Sequence, residues 1–147
     1  MPRRAAAYVG LVVLTIATAV LVVLYFNDSS ATERRLTLPN DTSYSLIVAE
    51  TTAQQEKGLG DRDDLPLDTA MLFLGETEQR RCFWMQHMRF AIDIVWVDAD
   101  RTVTAIEPDV APNTYPKTYC ANGQSVIEFN AGETVKNDLK VGQQLAF

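Results

Sequence analysis

One histidine, His87, and two cysteines, Cys82 and Cys120, are all that this 147-residue chain offers of the side chains that most often hold transition metals. A zinc site around a lone imidazole needs carboxylates or thiolates at fixed spacing, and neither an HExxH nor a CxxC pattern is present, so no metal is expected. The chain also lacks a phosphate-binding glycine loop, a dinucleotide fingerprint and a nucleophile elbow. Nucleotide cofactors and elbow-type serine chemistry therefore have no sequence basis, and no cofactor is expected. There is no internal repeat or low-complexity tract, and the length suits one ordinary domain with an appendage.

Charge is missing altogether from residues 5–26. As a helix those 22 residues would reach about 33 Å, which matches a hydrocarbon core of about 30 Å. Tyr8, Tyr25 and Phe26 stand near its ends, where aromatic rings favour the interface. The segment is read as a single-pass transmembrane helix in contact with membrane lipid. Arg3 and Arg4 lie in the four-residue tail 1–4, whereas Arg34 and Arg35 follow the helix eight or nine residues later. That proximity places the tail in the cytoplasm and the domain outside the cytoplasm. The alternative is a cleaved signal peptide ending at Ser29-Ser30-Ala31, which would make the protein secreted. Signal cores are shorter, roughly 7–15 residues, and this favours the anchor. Without residues 1–26 the chain keeps eleven basic and nineteen acidic residues, a net charge of −8. Such a field opposes nucleic acid, which is excluded as a partner.

Residues 27–41 are polar and read as a stalk, with a globular domain over 42–147. β-Branched and aromatic runs predict strands at 44–49, 70–74, 82–85, 92–97, 102–106 and 125–130, with a closing strand at 141–147. Thr51 followed by Gln54 predicts a capped short helix that Gly58 stops. A helical turn is expected at 134–139. Asp98-Ala99-Asp100-Arg101 predicts a hairpin turn, and that turn chemistry accounts for the Asp98-x-Asp100 pair without a metal. Residues 107–123, with Pro108, Pro112 and Pro116, read as a long loop of the kind that often carries function. The fold class expected is mainly β, a small sandwich or barrel-like domain with one or two short helices, preceded by the transmembrane helix.

The motifs Glu56-Lys57-Gly58-Leu59 with Arg62, Ala70-Met71-Leu72-Phe73, and Phe83-Trp84-Met85 spaced from Ile92-Asp93-Ile94 form a recognisable series. It continues through Asp98 and Asp100, Val126-Ile127-Glu128 with Ala131-Gly132, and Lys140-Val141-Gly142. In these blocks the chain resembles the domain of unknown function 192 family, also called uncharacterised protein family 0127, over about two thirds of its length. It departs from the family where Gln86-His87 and Ala91 replace commoner residues. The resemblance implies a compact, mostly β domain, frequently behind a signal or anchor segment, with no established enzymatic activity.

Asp93 lies in an apolar run and is expected to be partly buried, where a carboxylate needs partners. Two uses stay open. It accepts hydrogen bonds from loop amides or pairs with Arg62 or Arg89, or it is a general base or ligand anchor in a cleft. Arg62, in a glycine-flanked stretch, can clamp an anionic ligand or pair with Asp61, Asp64 or Asp93. His87 is read as solvent-facing, with ligand contact as its other use. Trp84, Met85, Met88, Phe90 and Trp96 suit a core, or an adaptable pocket. Cys82 and Cys120 either form one disulfide, which an oxidising compartment permits, or stay as two buried thiols.

Two functions from different classes follow. The leading one is a non-catalytic accessory domain of the cell envelope that binds a small ligand or an envelope protein. Its cleft would lie near Trp84, Met85, His87, Asp93, Arg62 and the 107–123 loop. The rival is a small envelope hydrolase using Asp93 near Trp84 and Arg62.

Overall fold

The computed structural model describes residues 34–147; the apolar segment 5–26, its tail and the first part of the stalk lie outside the described residues. Among those described, no helix is long and apolar enough to cross a membrane. The chain runs β1 (Arg35–Thr37), β2 (Ser43–Ala49), α1 (Thr52–Lys57), β3 (Thr69–Phe73), β4 (Gln79–Trp84), β5 (Ile92–Val97) and β6 (Val103–Val110). A 3-10 turn (Pro112–Thr114), β7 (Thr118–Gly123), β8 (Ser125–Asn130) and α2 (Glu133–Lys136) complete it. The domain is mainly β, with two short helices and a mixed sheet.

Six strands form one sheet in the order β1-β2-β3-β8-β5-β6, and β4 pairs with β7 in a separate ribbon. Only β2 and β3 run parallel. Parallel neighbours cannot be joined by a tight turn, and the crossover between them carries α1. Thr51 caps that helix: its side chain accepts from the Gln54 amide, and the Gln54 side chain accepts from the Thr51 amide at 2.9 Å. Gly58 ends it at φ 52°, ψ −133°, a backbone region essentially restricted to glycine.

The sheet is apolar on both faces, so its central strands read as near-continuous apolar runs. Leu72, Val95, Val97, Ile127 and Phe129 pack on one side. Met71, Phe73, Ile94, Trp96 and Val126 pack on the other, beneath Phe83 and Tyr119 of the ribbon. The Trp96 indole N–H donates to the Arg81 carbonyl at 3.0 Å, fixing the ribbon on this second face. Near the C-terminus, Ala146 exchanges hydrogen bonds with Thr37 of β1, and Gln143 accepts from Val103 at the start of β6. The segment thus touches both edge strands of the main sheet, β1 and β6, through isolated bridges.

Four expectations need correction. The domain begins before residue 42, because β1 pairs with β2 and buries Leu36 and Leu38. A three-residue strand behind Arg34-Arg35 is too short for alternation to register. The expected loop at 107–123 is largely regular: β6 runs to Val110, and β7 begins at Thr118. Pro108 is tolerated because β6 is an edge strand of the main sheet. The expected strand at 141–147 reduces to isolated bridges at Thr37↔Ala146 and Thr102↔Gln144. The strand placed at 82–85 spans Gln79–Trp84 instead. The 98–101 hairpin is present, with Asp98 Oδ1 accepting from the amides of Asp100 and Thr102 at 2.9 and 2.8 Å.

Candidate ligand site

A cavity of about 320 Å³ opens between α1, β3, β4 and β8. Phe73, Phe83, Trp84, Met88 and Leu59 supply its apolar walls, and Glu128 of β8 supplies a carboxyl group. The rings of Phe73 and Phe83 meet edge to face at 4.9 Å, and Phe83 meets Trp96 in the same way at 6.2 Å. Trp84 is 47% exposed and is among the residues that line the cavity. Gln55 ties α1 to the sheet, its amide donating to the carbonyls of Ala49 and Leu74, each at 3.2 Å.

Glu128 is placed by register. It lies between Met71 of β3 and Ile94 of β5 on the second core face, with 5% of its surface exposed. Its Oε2 has no hydrogen-bond partner among the described residues. Burial pushes the carboxyl up from its ordinary 4.5 to about 8, because an ion in this apolar layer would lose its hydration without compensation. At neutral pH the group is therefore mainly the neutral acid, able to donate one hydrogen bond and accept others. The charged neighbours that line the cavity are Glu56, Lys57, Arg80 and Arg81. None forms an ion pair with Glu128 within 4.0 Å. Arg81 is engaged elsewhere, its Nε donating to the Gly123 carbonyl at 3.2 Å.

Gly58 lets the helix end lie against this carboxyl. A Cβ there would stand 3.4 Å from Phe73 Cζ and 3.9 Å from Glu128 Oε2. Gly58→Ala should cost about 1–2 kcal/mol through backbone strain and narrow the cavity; urea denaturation measures the loss.

Asp93 does not belong to this site. It is fully buried and points, with Val95 and Val97, to the opposite face of the sheet. Its Oδ1 accepts from the amides of Asp109 and Gly132 at 2.8 and 3.0 Å. Its Oδ2 accepts from the Thr134 amide and hydroxyl at 2.8 and 2.6 Å. Four donors from the β6 end and the α2 entry occupy both oxygens, so a general base in a cleft near Trp84 is incompatible with the geometry. Of the two arginines expected beside Asp93, Arg89 pairs with Asp63 and Arg62 lies at a separate depression. Beside this carboxylate the Tyr44 hydroxyl donates to Glu133 Oε2 at 2.6 Å. Burial and the Glu133 carboxylate hold that phenol well above its usual range.

The other candidates scatter. Met85 is buried in the second core, below the surface. His87 is exposed in a turn at φ 60°, where its carbonyl accepts from the Asp61 amide at 2.9 Å. Arg62 lines a separate depression with Asp61, Lys57 and Gly60. Among the described residues no group of three or more His, Cys, Asp or Glu side chains is arranged to hold a metal ion. Cys82 and Cys120 sit directly opposite in the ribbon, and their sulfurs are bonded at 2.07 Å. The bond closes a separation of 38 residues. Reduction should lower the domain's stability by about 2–3 kcal/mol, read as a shift of the urea midpoint with dithiothreitol.

Sequence reasoning passed over Glu128 although Val126-Ile127-Glu128-Phe129 carries the same signal as the run around Asp93, an acid with apolar neighbours on both sides. Only strand register tells which of the two acids finds donors.

The fold and site define a small, mainly β domain with a mixed sheet and a cavity lined by aromatic side chains and a buried acid. The chain belongs to the DUF192 family, described as uncharacterized ACR, whose model matches residues 35–147. No curated protein matches. A protein of unknown function from Novosphingobium aromaticivorans DSM 12444 is similar at 27% identity and a TM-score of 0.70, over 77% of this chain and 82% of that one. A second solved structure, from Sinorhizobium meliloti 1021, is named for a candidate role as a transcription regulator. It is 22% identical with a TM-score of 0.69, over 76% of this chain and 89% of that one, and shows the fold alone.

Proposed function

We propose that this protein is a membrane-anchored, extracytoplasmic accessory domain that binds a small ligand in the Glu128 cavity without transforming it. The observation that carries this reading is the unpartnered Oε2 of Glu128 within an aromatic cavity of about 320 Å³. A cavity with aromatic walls and a small number of polar groups, here Glu128 with Lys57, Arg80 and Arg81 among its lining, is the usual form of a small-molecule site. Binding is favoured over catalysis because Glu128 has no second titratable group within hydrogen-bonding distance to share acid and base roles. Asp93, the acid of the hydrolase reading, is buried on the other face. The apolar, charge-free segment 5–26 supports the anchor.

The test is a ligand-observed NMR fragment screen on the full chain and on Trp84→Ala. Fragments that bind the native protein and lose affinity in the variant support the cavity; hits indifferent to Trp84→Ala overturn it. For the anchor, the chain should stay in the membrane pellet after alkaline extraction, and deletion of residues 1–33 should release it. Release of the intact chain would remove the anchor from the proposal.

A further inference from the structure

Glu128 narrows the chemistry of the ligand. Resting on the cavity reading above, we infer that the site takes a small organic monoamine, its ammonium group hydrogen-bonded to Glu128 and its body packed on Phe73, Phe83 and Trp84.

Three observations converge. First, Glu128 Oε2 lacks a donor, and its neighbours across the sheet are Met71 and Ile94, which have none to give. An ammonium group supplies several donors and the charge that makes a buried carboxylate stable. Second, the walls beside it carry the aromatic rings of Phe73, Phe83 and Trp84; a ring face stabilises a desolvated cation through its quadrupole, and the ring surface buries an apolar body. Third, the remaining charges around the cavity are Glu56 and Lys57 of α1 and Arg80 and Arg81 of β4. From β3, β5 and β8 no other charged group faces Glu128, since Asp93 lies on the far side. Three of the four lining charges are cationic and oppose any cation, so the Glu128 carboxylate has to outweigh them; it can do so for one ammonium group and leaves a second uncompensated, which limits the class to monoamines.

The inference carries a proton signature. In the empty site the carboxyl is protonated up to about pH 8, so binding an ammonium requires Glu128 to release its proton. Affinity for an amine therefore rises with pH until the site is ionised, by up to about tenfold per unit. The amine itself stays charged until roughly pH 10. A neutral ligand that accepts a hydrogen bond from the acid binds with no pH dependence up to about pH 8 and weakens above it.

The experiment titrates the full chain with 2-phenylethylamine and with its neutral isostere 2-phenylethanol, following tryptophan fluorescence and proton release by calorimetry in two buffers. Between pH 6 and 8 the amine should tighten about tenfold or more and release a proton. Glu128→Gln, which keeps the side-chain shape, should remove that slope and weaken the amine about tenfold or more at pH 8, while Trp84→Ala should weaken both probes. If the alcohol binds as tightly as the amine, or the amine shows no pH dependence, the monoamine assignment is overturned and the cavity reading stands. If neither probe binds at millimolar concentration, both are overturned.

Discussion

Asp93→Asn should lower the stability of the folded domain by about 3–5 kcal/mol, as measured by urea denaturation of the full chain. The carboxylate is fully buried and accepts from four donors, two on each oxygen. The carboxamide turns one of those oxygens into an NH₂ group facing N–H or O–H donors, so at least one backbone amide is left without an acceptor in a dry interior, and the charge that strengthens the remaining bonds is lost. The loss spreads, because these donors come from the β6 end near Asp109 and from the Gly132-Thr134 entry to α2. Binding at the Glu128 cavity, on the other face of the sheet, should be unaffected wherever the variant remains folded. A variant that melts within about 0.5 kcal/mol of the native protein, inside the range of ordinary surface changes, would show that Asp93 does not hold these elements together.

Glu128→Gln should do the reverse, and its effect should depend on pH. Below about pH 4.5 the carboxyl is neutral in both the folded and unfolded chain and contributes no difference. Between 4.5 and about 8 the unfolded chain gives up a proton that the folded chain retains. Stability then falls with rising pH by about 1.4 kcal/mol per unit. Above about 8 both states are ionised and the penalty stays constant. Replacing the acid with an amide removes this dependence, so the variant should match the native protein near pH 4.5 and exceed it by about 3–5 kcal/mol near pH 9. Urea midpoints for both proteins across that range give the difference directly. Parallel pH profiles would mean that Glu128 ionises freely and is not desolvated as its position requires. Stability given up at a buried acid is a recurrent feature of functional sites, and this prediction therefore bears on the proposed ligand.

Much of the architecture was readable one strand at a time. The run 92–97 reads as a strand from its β-branched and aromatic content, and it forms β5. Asp98 announces the β5–β6 hairpin because its side chain can accept from its own turn. Thr51, Gln54 and Gly58 mark both ends of α1 by local chemistry alone. The proline-rich stretch after Glu107 misled for a physical reason: proline argues against a strand only where its missing N–H is needed, and Pro108 sits on an edge strand. β1 escaped because three residues carry too little pattern.

The site was less legible, and the two acids show why. Asp93 and Glu128 each interrupt an apolar strand, and each marks a buried carboxyl. Period-two alternation says that neighbours point to opposite faces, but not what stands above each face. Folding brings the Asp109, Gly132 and Thr134 donors over Asp93, whereas Glu128 meets Phe73, Gly58 and the aromatic cavity. The sequence by itself determined the β-rich domain, the turn and cap chemistry, the acidic field and the charge-free segment before the domain, because these depend on residues near one another in the chain. Only the tertiary structure decided the parallel pairing of β2 with β3, the meeting of Cys82 with Cys120 and the contrast between the two carboxyls. Each of those depends on the long-range register of strands, which local pattern leaves undetermined.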